Sequence, residues 1–340
     1  MGVPGEPIRL GPGPEFDLIR RILAAPGPAG APAALRYVRV GPGDDCAVVA
    51  PENGLAVSAD LSVEGTHFRR AWLAPQEIGY RAAAASLSDL AAVAAEPIGV
   101  LASLALPEAD VPEAALELMA GVRAAAAAAG ALLLGGDVAR TDGPLAVDVV
   151  ALGRALAPVL RRGAQPGDEV WVTGRLGAAA AAVHCWLAGR TPPVAARAAF
   201  ARPRPRLAEA RWLAERGVLH AMIDLSDGLA GDLRHLAAAS GVRIVLEPDA
   251  VPVHPAALEA AGPEAASRLA LAGGEDYELC FAAPPGAVTA IGSAFREAFG
   301  LELTRVGAAA EGEGVWIRGA GGALEPLRLA GYQHFGGATT

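Results

Sequence analysis

Hydrophobic positions along the chain switch between two periods. Short, nearly continuous apolar runs alternate with longer Ala/Leu-rich stretches whose apolar residues recur every three or four positions, the alternation expected of strands and helices. The short runs predict strands at Cys46 to Ala50, Leu55 to Ala59, Gly99 to Leu106, Ala131 to Leu134 and Leu145 to Ala151. Between them, Pro75 to Ala95 and Pro112 to Ala129 read as helices, the second stopped by Gly130 just past its end. After the turn-rich segment Arg161 to Asp168 a second set begins. It has a strand at Glu169 to Thr173, helices at Ala178 to Ala188, Pro205 to Arg216 and Leu229 to Ser240, and strands at Val242 to Glu247, Leu279 to Ala282, Leu301 to Val306 and Gly314 to Ile317. Pro192 to Pro205 and Gly262 to Ser267 read as loops. The pattern is that of an α/β (α+β) protein in two parts. Residues 1–14 form a Gly/Pro-rich flexible tail, 15–155 a first domain and 156–336 a second.

Composition narrows the function classes. The 340 residues are 53% hydrophobic and 19% charged, enough for two cores rather than disorder. Net charge is −9, with 28 arginines, no lysine and no Arg-rich stripe interleaved with aromatics, so no nucleic-acid partner is expected. The Ala-rich stretches are interrupted before membrane-spanning length, and the tail has no apolar signal core. Cys46, Cys185 and Cys280 have no paired spacing, which fits a reducing compartment. The expectation is a soluble, cytoplasmic protein. Without lysine, neither a Walker P-loop nor a protein-kinase site can be built in its usual form.

Candidate chemistry lies in aspartates beside small residues at the ends of apolar runs. Asp44 and Asp45 follow Gly41-Pro42-Gly43, and successive side chains entering a strand face opposite ways, so only one of the two is expected to join a common site. Asp60 follows the run Leu55 to Ala59, with Ser58 on its own face. Asp89 falls in an Ala-lined helix, where it is either solvated or turned against a packed neighbour. Gly135-Gly136-Asp137 reads as the end of an apolar strand, where glycines allow backbone N–H groups to approach a phosphate. Asp224-Leu225-Ser226-Asp227-Gly228 precedes a helix and also reads as its N-cap. Gly273 to Glu278 puts three acids before a strand, costly unless solvated or paired. Gly174 and Gly177 open a helix whose N-terminus could hold an anion, or serve ordinary strand-to-helix packing. His67, seven residues after Asp60, could contact an anion or be merely structural. Several converging carboxylates with no cation beside them suggest Mg²⁺, a hard ion that takes oxygen ligands and bridges phosphates.

In this order, these motifs resemble the thiamine-monophosphate kinase family, of the superfamily that includes aminoimidazole ribonucleotide synthetase and selenophosphate synthetase. The resemblance runs from Glu15-Phe16-Asp17-Leu18-Ile19 to Gly331-Tyr332-Gln333-His334-Phe335. It is most specific in Gly43-Asp44-Asp45-Cys46, Leu87 to Ala92, Ile223 to Leu229 and Gly273 to Cys280. It implies metal ligands at Asp45, Ser58, Asp60, Asp89, Asp137, Asp224 and Asp227, and ATP contacts at Gly136, Asp137, Arg161 and Ser226. Thiamine-phosphate contacts would fall at His67, Glu275 and Tyr332. Many relatives have Thr where this chain has Ala59, which could ligate only through its carbonyl.

The resemblance further implies a homodimer in which the first domain's mixed sheet pairs with its counterpart, and a C-terminal α/β domain that covers the nucleotide. The reaction implied is ATP-dependent phosphorylation of thiamine monophosphate, with several Mg²⁺ ions and no catalytic general base. Alternatives are an aminoimidazole ribonucleotide synthetase-like ligase, a non-catalytic Mg²⁺-nucleotide sensor and a metal-dependent phosphatase.

Overall fold

Two mixed sheets take up the strand-forming runs. The computed structural model describes residues 38–40, 47–49, 54–107, 113–319, 321–329 and 331–332. Among them, β1 (Val38–Val40), β2 (Ala47–Val49), β3 (Leu55–Val63), β4 (Glu96–Pro107), β5 (Leu132–Thr141) and β6 (Ala146–Arg154) make a sheet in the order β1-β2-β3-β6-β4-β5. Only β4 and β5 run parallel in it. Helices α1 (Pro75–Ala92) and α2 (Glu113–Ala128) pack together, and both lie against this sheet. The residues assigned to the tail, 1–14, lie outside the described residues.

The second sheet, in the order β13-β12-β9-β11-β7-β10-β8, holds β7 (Glu169–Thr173), β8 (Ala221–Asp224), β9 (Arg243–Leu246), β10 (Leu279–Ala283), β11 (Leu303–Ala310), β12 (Gly314–Arg318) and β13 (Leu324–Pro326). Its helices are α3 (Ala178–Leu187), α4 (Val194–Ala201), α5 (Leu207–Glu215), α6 (Leu229–Ser240), α7 (Pro255–Ala272) and α8 (Ala287–Phe299). No helix among the described residues is long and apolar enough to cross a membrane.

Four differences from the sequence expectations have physical causes. Strand β3 runs on through Asp60 to Val63, because its ladder with β6 continues unbroken from Leu55↔Arg154 to Val63↔Ala146. Strand β5 likewise runs through Gly135, Gly136 and Asp137, which therefore sit inside a strand rather than at its end. The supposed loop at residues 192–205 contains α4, and that at 262–267 lies within α7, where Gly262 at φ 75° kinks the helix ahead of Pro263. The unexpected β8 has only four residues, too few to show a period, and owes its strand conformation to pairing with β10.

Helix α1 is the shared wall of the molecule. Ala82, Ala83, Ala84, Leu87, Leu90, Ala91 and Ala92 are buried around its whole circumference, the signature of a helix enclosed by protein. It packs on β3, β4, β6 and α2 of the first half and on α4, α5 and β8 of the second. Just before it, Trp72 stacks on Trp186 with ring centroids 4.9 Å apart, and Phe200 sits edge-on to both, so aromatic contacts also cross the junction.

Glycine permits the closest approach. A Cβ on Gly79 would lie 1.9 Å from the Leu118 carbonyl oxygen, and one on Gly121 would lie 1.9 Å from that of Gln76, so α1 and α2 cross backbone to backbone. In an ordinary helix interior, Gly→Ala gains about 1 kcal/mol. Here Gly121→Ala should instead act as overpacking, costing about 1–3 kcal/mol, and lower the thermal unfolding midpoint by several degrees. A rise in that midpoint would show that the two backbones are not in contact.

Candidate functional site

Alternation along β3 divides its residues between two surfaces. Ala56, Ser58, Asp60 and Ser62 face α1, whereas Ala59 and Leu61 are exposed on the other side. Ala59 therefore turns its methyl away from Ser58 and Asp60. Two groups on α1 meet this region. The Ser58 hydroxyl donates to the half-buried Asp89 carboxylate, and the fully buried Ser88 donates to Asp224 Oδ2 at 2.6 Å. Successive residues of one helix thus hold a strand of the first sheet and the end of β8 in the second.

Beyond Asp224 the chain passes through Leu225, Ser226 and Asp227 into α6. Gly228, at φ 102°, is the N-cap, so neither Ser226 nor Asp227 occupies the capping position considered from sequence. Their carbonyls instead anchor other segments. Ser226 O accepts from Glu275 N at 2.8 Å, and Asp227 O accepts from Tyr332 N at 3.0 Å. A Cβ on Gly274 would lie 2.3 Å from Ser226 O, which explains the glycine there.

The three acids of the Gly273 to Glu278 segment take three different partners. Glu275 forms an ion pair with Arg81 of α1 and accepts from the Tyr277 hydroxyl at 2.8 Å. Asp276 accepts from Gly177 N at 2.9 and 3.0 Å, filling the N-terminus of α3. That end, proposed from sequence as an anion site, is taken by the chain's own carboxylate. Burial pushes the Asp276 carboxyl well up, and the amide bonds offset this only in part. Glu278 accepts from Thr173 Oγ1 at 2.6 Å and from Arg206 Nε at 2.8 Å. Glu275 and Tyr277 hold φ of 75° and 50°, a left-handed backbone that costs about 1–3 kcal/mol per residue and concentrates at functional sites.

Arg81 is the central cation of this cleft and was not singled out from sequence. Its signal was an arginine two helical turns before Ser88 in an alanine-rich helix. It is buried, donates to Phe200 O at 2.9 Å and lies 3.9 Å from the centroid of the Phe200 ring. Burial raises the Asp60 carboxyl from 3.8 to about 6, and the Glu275 charge adds to the rise while Arg81 opposes it. The Tyr277 hydroxyl is pushed up by burial and the same Glu275 charge.

The other sequence candidates are dispersed. His67 Nδ1 accepts from Val63 N at 3.0 Å, which leaves the proton of the neutral ring on Nε2 and fastens the turn after β3. Asp137 is exposed on β5, accepts from its own neighbour Val138 N, and aligns through Ser103 with Asp148 and Leu61. Asp60 instead aligns through Val149 and Ala102 with Gly136, one step along the ladder. A Cβ on Gly136 would lie 1.8 Å from Ala102 O, so the glycine serves strand packing. Arg161, in the connection after β6, accepts through its carbonyl from Ser240 Oγ at 3.0 Å. Asp45 lies outside the described residues. Among the described residues, no three His, Cys, Asp or Glu side chains form a ready-made metal group.

Comparison with known proteins agrees with this arrangement of two halves around one cleft. The family profile for the N-terminal domain of AIR synthase related protein matches residues 43–155, and that for the C-terminal domain matches residues 165–318. A thiamine-monophosphate kinase of Rhodopirellula baltica is 34% identical over 311 residues, covering 88% of this chain and 92% of that protein. The Escherichia coli K12 thiamine-monophosphate kinase is 37% identical over 315 residues, with the same coverage. Among solved structures, the Stenotrophomonas maltophilia thiamine-monophosphate kinase superposes with a TM-score of 0.73 at 36% identity, covering 89% of this chain and 95% of that one. A structure described as AaThiL complexed with AMPPCP and TMP superposes with a TM-score of 0.78 at 28% identity, covering 95% and 97%. With its fold, its order of motifs and this similarity over nearly its whole length, the chain belongs to the thiamine-monophosphate kinase family of AIR synthase related proteins.

Proposed function

We propose that the protein transfers the terminal phosphoryl group of ATP to the phosphate of thiamine monophosphate, giving thiamine diphosphate and ADP. The observation that carries this reading is the family membership over nearly the full chain, with a related structure complexed with an ATP analogue and TMP. The cleft's chemistry supports it. The acceptor is already an anionic phosphate oxygen, so the reaction needs no general base. What it needs is two anions held in line and their repulsion neutralised.

The donor set fits magnesium. Ser58, Asp60, Asp89, Asp224 and Asp227 offer hard oxygen atoms, and the raised Asp60 marks an acid buried near another acid, where a cation relieves the charge. Asp45, Asp137 and the Ala59 carbonyl complete the proposed ligands. When bound, the ions would neutralise phosphate charge and polarise the transferred group. Magnesium usually takes one or two carboxylates together with phosphate oxygens and water, so a ready-made three-acid group is not required. Gly136, Asp137, Arg161 and Ser226 would contact ATP, and His67, Glu275 and Tyr332 the thiamine phosphate. Glu275, held by Arg81 and Tyr277, offers a fixed carboxylate to the cationic thiazolium ring. An assay offering thiamine, thiamine monophosphate and aminoimidazole precursors side by side should show ADP release only with the second. Turnover of an aminoimidazole precursor would instead favour the ligase reading.

We infer a homodimer formed through the first sheet, because Leu61, Leu132, Leu134 and Val138 on β3 and β5 are exposed apolar residues of that sheet. The domain division at residue 155 belongs to the same reading. Replacing Leu61 and Val138 by Asp should convert the dimer to monomer in light scattering; an unchanged mass would place the interface elsewhere.

Two further outcomes follow from Asp60. Asp60→Asn or Asp89→Asn should lower kcat at least a hundredfold with no fall in unfolding midpoint, and near-normal turnover would remove these residues from the machinery. The second concerns pH. The folded carboxyl titrates near 6 and the unfolded one near 3.8, so between these values the folded state binds more protons and stability falls as pH rises. Above 6 the metal-free protein carries the full penalty, about 3 kcal/mol for a shift of this size. Mg²⁺ should therefore raise the unfolding midpoint more at pH 7.5 than at pH 5. An equal rise at both values would show that Asp60 does not meet the ion.

A further inference from the structure

Apart from the carboxylate cleft, a cavity of about 370 Å³ opens between Tyr80 of α1, Pro97 at the start of β4, the last turn of α2 and the segment from Arg202 to Arg211. That volume is within the range of small-molecule sites, about 300–1,000 Å³. None of its lining residues takes part in the reaction proposed above. Arg202, Arg204 and Arg211 line it, in a protein of net charge −9, with Glu77 and Glu96 acting on Arg202 and Arg211 from outside the lining. The one acid in the lining, Glu209, is buried and already lies 3.5 Å from both Arg204 and Arg206.

The sequence fixes how these arginines are presented. In Arg202-Pro203-Arg204-Pro205-Arg206 each proline locks its own φ and restrains the residue before it, so the run is extended and stiff. Pro203 is buried while Arg202 and Arg204 are exposed, and Arg206 turns inward to Glu278. Little backbone entropy then remains to be lost on binding. Planar guanidinium groups match phosphate oxygens in paired hydrogen bonds. The other wall is apolar: Ala125, Ala128 and Ala129 line it beside Tyr80, and the Arg202 guanidinium lies over the Tyr80 ring, 5.3 Å from its centroid.

We propose that this cavity is a second ligand site, which takes a small phosphorylated molecule carrying a flat ring. On binding, Arg202 leaves the Tyr80 face for the phosphate, which Arg204 and Arg211 also hold, and the ring takes its place against Tyr80 and the alanine wall. Tyr80 immediately precedes Arg81, so the occupant abuts the helix that carries the carboxylate cleft.

Titration calorimetry with adenosine monophosphate as probe tests this. The protein is first loaded with Mg²⁺ and one equivalent of a non-hydrolysable ATP analogue, so that the nucleotide cleft is filled and the second site is left free. Adenosine monophosphate should still bind, at least tenfold more tightly than inorganic phosphate. The double variant R202A/R211A should weaken it at least tenfold, while the exposed control Arg268→Ala leaves it unchanged. If the double variant melts early, Arg211→Gln, which keeps much of the side chain's length, should still weaken binding severalfold. Binding that vanishes once the cleft is filled, or survives in the arginine variants, overturns the second site. Equal affinity for inorganic phosphate and the nucleotide overturns the ring contact and the proposal with it.

Discussion

The structure depends on a helix that is enclosed by protein along most of its length, from Arg81 to Ala92. There α1 can carry only small side chains where it meets its neighbours closely, and a polar group on it can gain a partner only from the protein around it. Arg81, Ser88 and Asp89 are the polar groups that use this position. Each finds its partner on a different element: Glu275 ahead of β10, Asp224 at the end of β8, and Ser58 on β3. The cleft is thus built by satisfying the buried polar atoms of one helix, and the two halves of the chain are held in register by the same bonds. Displacing α1 by a fraction of a turn would break all three together.

The segment from Gly273 to Glu278 shows how a chain can concentrate acids without repelling itself. Pairing each carboxylate with a different class of donor, an arginine, a helix end and a second arginine with a threonine, points the three side chains in separate directions. The left-handed backbone at Glu275 and Tyr277 accompanies that divergence. Ser226 and Leu225 hold the segment through main-chain bonds, which keeps it in place whatever their own side chains do.

Much of this was legible in the sequence where a residue's role follows from its neighbours along the chain. The helices at Pro75 and Leu229, the alternation that puts Ser58 and Asp60 on one face, and the cost of three adjacent acids can all be read from local pattern. The four-residue β8 could not be, since its strand character comes from β10. Neither could the reach of β3 and β5: Asp60 and Gly135-Gly136-Asp137 look like strand ends until the partner ladders are seen to continue. Arg81 carries no such local sign, because a lone arginine in an alanine-rich helix normally belongs on a solvated surface. Its partners, Glu275 and Phe200, are more than a hundred residues away. Asp276 was read with its neighbours and Gly177 with its own, and only the fold reveals that the two meet.

That last meeting has a cost for any polyphosphate bound in the cleft. A helix N-terminus is the cheapest anion receptor a backbone provides, since its amides are already oriented and need no counter-charge. At α3 that receptor is permanently engaged by an internal carboxylate. On the proposed reaction, dissolved ions would supply much of the positive charge a polyphosphate needs, and occupancy by nucleotide would follow the free magnesium level of the surroundings as well as the nucleotide itself.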